Sequence, residues 1–173
     1  MTLIGYHASH EQFTPAELLD RVVQAEQAGF QGAMCSDHLL PWSRAQGQSG
    51  HAWVWLGAAM SRTRFPFGIV NAPVGRYHPA VVAQAVATLG CLFGDRFWVG
   101  TGSGEALNEW AAGDDWPEKG VRNARLEDAV SFMRTLWRGE RASHDGYFEA
   151  RDAVLYSRPD CRPPVYLAAL APG

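Results

Sequence analysis

Five short apolar runs, LIGYH (residues 3–7), GAMCS (32–36), PFGIV (66–70), FWVGT (97–101) and PVYLAAL (164–170), are separated by longer segments that carry helix signals. Each run is too brief for a helix, and none alternates strictly between apolar and polar residues. That is the pattern of strands buried on both faces of a parallel sheet. The first intervening segment opens on Thr14-Pro15-Ala16-Glu17, a capping box with proline at the first helical position. Leu18, Leu19, Val22, Val23 and Ala25 follow at helical spacing up to Gly29, a left-handed stop. A second helix is predicted from His78-Pro79 to Gly90, and a third from about Asn123 to Gly139. The aromatic segment HAWVWLGAAMS (51–61) is predicted to be helical as well. Strand and helix thus alternate, which implies a parallel α/β sheet built from right-handed crossovers. Two architectures satisfy this order: an open doubly wound sheet, or the first five β/α units of a (β/α)8 barrel, a fold that takes about 250 residues when complete. Residues 142–159 read as an excursion with a turn at Asp145-Gly146 ahead of the fifth strand. With no repeats and no low-complexity linker, residues 1–173 are expected to form one domain.

Composition narrows the function classes. The net charge of −3 and the lack of a lysine or arginine stripe offer no field for nucleic acid. No window approaches the roughly 18 to 20 apolar residues of a bilayer span, and the N-terminus lacks a charged leader with a long apolar core. The three cysteines, Cys35, Cys91 and Cys161, are far apart and show no CxxC spacing, so a reducing, cytoplasmic location is expected.

Ligands of parallel α/β folds sit at the carboxyl ends of the strands. Three polar clusters fall there: Asp37-His38 with Trp42 after the second strand, Asn71 after the third, and TGSGEALNE (101–109) after the fourth. His38 is open to reading as a proton carrier, a metal ligand or a strand-end residue satisfied by a carbonyl. Without HxxxH or HExxH spacing, no metal site is expected. The GTGSGE loop has Glu105 in place of the third fingerprint glycine, which argues against a dinucleotide site. Gly102 and Gly104, flanking Ser103, leave backbone accessible to a flat ligand or a phosphate, or form only a tight turn capped by Ser103. Glu105 is either a cap favoured by the helix dipole or one half of an acid/base pair with His38. Asn108 is a further candidate or a solvent-facing residue. No GxSxG elbow marks a hydrolase.

The blocks IGYHASHEQFTPAELL, SDHLLPW, RYHPAVVAQAVATLGCLF, RFWVGTGSGEALNE and ARLEDAVSFMRTLWRGE, in this order, resemble the luciferase-like flavin and deazaflavin oxidoreductases. The resemblance is greatest to the branch that contains F420-dependent glucose-6-phosphate dehydrogenase. It implies a (β/α)8 barrel that binds FMN or coenzyme F420 at its carboxyl end and acts on a small organic molecule by hydride transfer or monooxygenation. By the same resemblance, His38 and Glu105 handle protons and Trp42 shapes the pocket. Asp37 and Asn108 lie against the cofactor, and a non-proline cis bond at about Ile69-Val70, followed by Asn71, forms a bulge behind the ring; the bare backbone of Gly102-Ser103-Gly104 is expected to complete the cofactor contacts. Relatives continue for roughly three more strand-helix units of the eight. The chain is therefore expected to be a truncated product, or a fragment that forms a homo-oligomer or pairs with a complementary chain. A catalytically silent binding or assembly module is the alternative function.

Overall fold

The computed structural model describes residues 2–168. Strands β1 (Gly5–Ala8), β2 (Gly32–Ser36), β3 (Phe67–Asn71), β4 (Phe97–Thr101) and β7 (Val165–Leu167) form one sheet in the order β1-β2-β3-β4-β7. Every pairing in it is parallel. Helices α1 (Pro15–Gln27), α2 (Ala52–Arg62), α3 (Pro79–Phe93), α4 (Ala106–Ala111) and α5 (Lys119–Trp137) lie between the strands. A doubly wound sheet reverses its strand order at a switch point. This sheet adds each strand beside its predecessor, which is the winding of a barrel and decides between the two architectures.

Alternate residues of each strand face opposite sides. Ala33 and Cys35, Phe67 and Ile69, Phe97 and Val99 are buried in one core with Leu18 and Val22 of α1, Leu56 and Met60 of α2, and Val82 and Val86 of α3. Burying a side chain of this size contributes about 1.5–3 kcal/mol, so this layer holds the fold. The opposite face carries Met34, Val70, Trp98 and Tyr166. Trp98 meets Tyr166 edge-on at 5.5 Å and fills the space beside Gly68, where an added Cβ would stand 2.0 Å from the indole.

Local signals explain most helix boundaries. The capping box of α1 forms, with Thr14 Oγ1 accepting from the Glu17 N–H and Glu17 Oε2 accepting from the Thr14 N–H. Helix α3 runs past Gly90 to Phe93, because Gly90 is a contact point for Pro159 and Pro163 rather than a stop. Gly94, at φ +61°, follows its last residue. Helix α5 begins at Lys119 instead of Asn123; its first turn is exposed, so apolar spacing does not reveal it. The excursion is an antiparallel hairpin, β5 (Ala142–Asp145) and β6 (Glu149–Ala153), with Phe148 against His144 and Phe132. Part of the fifth apolar run, residues 169 and 170, lies outside the described residues.

The expected cis bond is absent: among the described residues every peptide bond is trans. β3 continues in register through this point, with Ile69 opposite Val99, Val70 opposite Gly100 and Asn71 opposite Thr101. Val70 O accepts from the Asp37 N–H and Asn71 O from the Gly102 N–H, each at 3.0 Å. A ladder satisfied this way needs no bulge, and nothing in it offsets the 3–4 kcal/mol that a cis non-proline bond costs.

Candidate active site

At the carboxyl end of β2 the Asp37 N–H still pairs with β3, so the Asp37 side chain stays tucked against the sheet end. It is buried and ion-paired with Arg76 Nη2 at 3.1 Å, and Tyr77 Oη donates to its Oδ1 at 3.4 Å. The next residue, His38, turns over the rim. Its carbonyl accepts from Ser49 Oγ at 2.9 Å, and the ring sits edge-on to Trp42 with centroids 5.2 Å apart. Trp42 is 60% exposed and forms an open wall.

Both nitrogens of His38 face carboxylates. Nδ1 lies 2.5 Å from Glu11 Oε1, a residue of the loop between β1 and α1. Nε2 lies 3.8 Å from Glu105 Oε2. Burial pushes the Glu11 carboxyl up, but hydrogen bonds from His38 and Ser9 and its own backbone N–H outweigh it and hold the group down at about 2. An ionised Glu11 can only accept, so Nδ1 carries the proton and the lone pair of a neutral His38 is presented at Nε2.

Glu105 occupies the N-cap position of α4 without a side-chain capping bond and is about two-fifths exposed. Asn108 is buried, not solvent-facing. Its Oδ1 accepts from the N–H groups of Leu39 and Leu40 at 2.7 and 3.1 Å, and its Nδ2 donates to Glu105 Oε2 at 3.3 Å. One short helix thus holds the loop that carries His38 and aims the facing carboxylate.

Asp37, His38, Trp42, Glu105 and Asn108 therefore converge on one rim. Gly102 and Ser103 line a small adjoining cleft with Val74, Trp116 and Arg125. Val70 is half-buried on the sheet face away from the helices, whereas Ile69 points into the core. Asn71 is buried, with Nδ2 donating to the Ala72 carbonyl. Gly104 adopts φ +87° beside the Glu109 carboxylate. Glu11 and Arg76 are missing from the residues expected from the sequence, and Glu109 stands there only as the last residue of TGSGEALNE with no role assigned; Glu11 follows β1 as the other candidates follow β2, β3 and β4, so it was within reach. Among the described residues no group of three or more His, Cys, Asp and Glu could hold a metal ion.

Residues 1–173 match the family described as luciferase-like monooxygenase. The chain is a member of that family. Within this luciferase-like family it is 50% identical to F420-dependent glucose-6-phosphate dehydrogenase of Beutenbergia cavernae, over 99% of this chain and 52% of that one. An F420-dependent secondary alcohol dehydrogenase, solved with an F420-acetone adduct, superposes with a TM-score of 0.91 at 39% identity, covering 96% of this chain and 52% of the other. The oxygenating constituent of 3,6-diketocamphane monooxygenase from Pseudomonas putida, solved with FMN, shares the fold at a TM-score of 0.73 and 17% identity, covering 95% of this chain and 51% of its own. The chain spans about half the length of the relatives it matches.

Proposed function

We propose that this rim is the proton-handling side of an F420- or FMN-dependent oxidoreductase site acting on a small organic alcohol. The observation that carries the reading is the His38 imidazole, held through Nδ1 at 2.5 Å from Glu11 while Nε2 faces Glu105 at 3.8 Å. The donor set suits a flat heteroaromatic ring: a partly open carboxylate at Glu105, an amide at Asn108, an exposed indole at Trp42, and backbone bare of side chain at Gly102. Val70 at the end of β3 and the Gly102-Ser103-Gly104 loop would supply the remaining ring contacts, whereas Ile69 lies in the helix-side core and Asp37 and Asn71 are buried, so these three would act only from behind the ring site. When bound, such a ring supplies the acceptor for a hydride.

The residues then divide the work. Neutral His38 takes the substrate hydroxyl proton at Nε2 as the carbinol C–H pair departs, leaving a carbonyl product. Glu105 stabilises the imidazolium so formed, and Trp42 limits water around it. The names of the relatives at 50% and 39% identity favour F420 over FMN. Those two names, a glucose-6-phosphate dehydrogenase and a secondary alcohol dehydrogenase, share an alcohol or lactol carbon as the group oxidised.

Assembly and location belong to the same proposal. Among the described residues β1 and β7 each pair with a strand on one side only, which supports association with a second copy or a complementary chain. No helix among the described residues is long and apolar enough to cross a membrane. The free thiols of Cys35, Cys91 and Cys161 support a cytoplasmic setting.

Titrating the protein with F420 and with FMN, followed by visible absorbance and ring fluorescence, tests cofactor binding directly; turnover with propan-2-ol tests the chemistry. His38→Ala should lower turnover by about 10²-fold or more and change ring affinity little. Equal turnover in the variant would remove His38 from its role. Binding of neither ring, or binding without turnover of any simple alcohol, would favour a silent binding module.

A further inference from the structure

Beside Asn108, helix α4 carries a second buried side chain that the proposed chemistry does not use. Glu109 is 4% exposed, and its carboxylate is wedged between two backbone turns. Oε2 accepts from the Arg76 N–H at 2.9 Å and lies 2.4 Å from where a Cβ on Gly75 would stand, while Oε1 lies 3.0 Å from the Cβ position of Gly104. Gly75 and Gly104 have φ of +101° and +87°. The chain therefore leaves β3 and β4 through left-handed turns that glycine holds at little cost, both shaped around one carboxylate. Burial pushes the Glu109 carboxyl up, against the opposing pull of the Arg76 N–H and guanidinium.

From this carboxylate the contacts run back to His38. The guanidinium of Arg76 reaches the carbonyl oxygen of Asp37 and its Oδ2. Asp37 immediately precedes His38. On the other side, Asn108 grips the N–H groups of Leu39 and Leu40, which immediately follow it. His38 is thus fastened before and after by contacts that trace to adjacent residues of α4, the helix whose N-cap, Glu105, faces Nε2.

We propose that Glu109 is a positioning residue: through Arg76 and Asp37 it ties the loops after β2 and β3 to α4 and thereby sets the separation of His38 Nε2 from Glu105. The proposal deepens the reading of His38 and Glu105 as a proton-handling pair and rests on it. Glu11 faces His38 from the loop after β1 and Glu105 from α4, and His10 stands close enough to couple with it electrostatically; Asp37, its chain neighbour, is paired with Arg76, and Glu109 acts on it only through geometry.

Histidine-selective NMR titration of the full chain reads this geometry without requiring turnover. Glu105→Gln sets the scale by removing the facing carboxylate and lowering the His38 protonation midpoint. Glu109→Ala is expected to lower it by at least half that amount, about half a pH unit or more, because the carboxylate of Glu105 no longer stands against Nε2. Glu109→Gln removes the same charge but keeps an acceptor for the Arg76 N–H, and should leave the midpoint near that of the unaltered protein. Equal shifts in the two Glu109 variants would reduce the effect to lost charge and overturn the proposal. So would an unmoved midpoint in a folded Glu109→Ala protein. Should Glu109→Ala not fold, Arg76→Gln decides by sign: loss of position lowers the midpoint, which supports the proposal, whereas loss of a cation alone raises or leaves it, which overturns it. An unmoved midpoint in Glu105→Gln would sink the paired site itself, and the proposal with it.

Discussion

Glu11 decides which nitrogen of His38 holds its proton, and under the proposed function that single hydrogen bond separates a poised base from an ordinary rim histidine. Glu11→Gln removes the obligate acceptor and allows the ring to turn or change tautomer. Turnover should fall by about 10²-fold with little change in ring affinity, as separate steady-state and binding measurements would show; an unaltered rate would contradict the assignment. Next to it, His10 is 1% exposed, its two ring nitrogens have no hydrogen-bond partner, and it packs edge-on to Trp55 at 4.8 Å. Burial pushes its pKa down to about 4, against the pull of Glu11 and Asp37. Because the folded value lies below the ordinary 6.5, the stability this group contributes is fully present above 6.5 and lost as pH falls toward 4. The loss amounts to about 3 kcal/mol. Urea unfolding at several pH values should show that slope in the unaltered protein and flatten it in His10→Leu. Asp37, His38, Glu105 and Asn108 were legible as residues because strand ends are legible. The pairings were not, even for Glu11, itself a strand-end residue: Glu11 meets His38 across 27 residues of sequence, Glu109 meets Arg76 across 33 and Arg76 meets Asp37 across 39, and no local pattern records such a pairing.

Elements were more readable where a local signal and the tertiary packing agree. TPAE marks the start of α1 because its hydrogen bonds close within four residues. Gly90 misled because its reason is outside its own helix, in the prolines packed on it. The start of α5 was hidden for a related reason: Arg122 lies over Trp116 at 4.0 Å and donates to the Pro117 carbonyl, fastening a first turn that has no apolar face. Gly68 is the strand counterpart, a glycine whose role shows only once the neighbouring strand is in register, Gly68 opposite Trp98. Gly68→Ala must displace that indole and should destabilise the protein by about 1–3 kcal/mol, measured as a shift in the urea midpoint. A change of less than a few tenths would mean that Trp98 moves freely and that the inner face is not packed as described.

For the whole molecule, the order of apolar runs was enough to give five parallel strands, but not the choice between open sheet and barrel. That choice depends on which neighbour each strand takes, a property of the sheet and not of any strand. Among the described residues the sheet leaves backbone groups of β1 and β7 open along its outer edges, with Tyr166 57% exposed and Trp98 partly exposed on the face opposite the helices. Sedimentation should therefore show mass rising with protein concentration; a monomer mass that holds across the accessible range would count against the proposed pairing.

The buried layer between strands and helices lies to one side of the sheet, whereas His38, Glu105 and their holders hang from the strand ends on turns that contribute little to that layer. Stability and reactivity are thereby lodged in different parts of the molecule. Rim segments can therefore change in sequence while the framework beneath them endures.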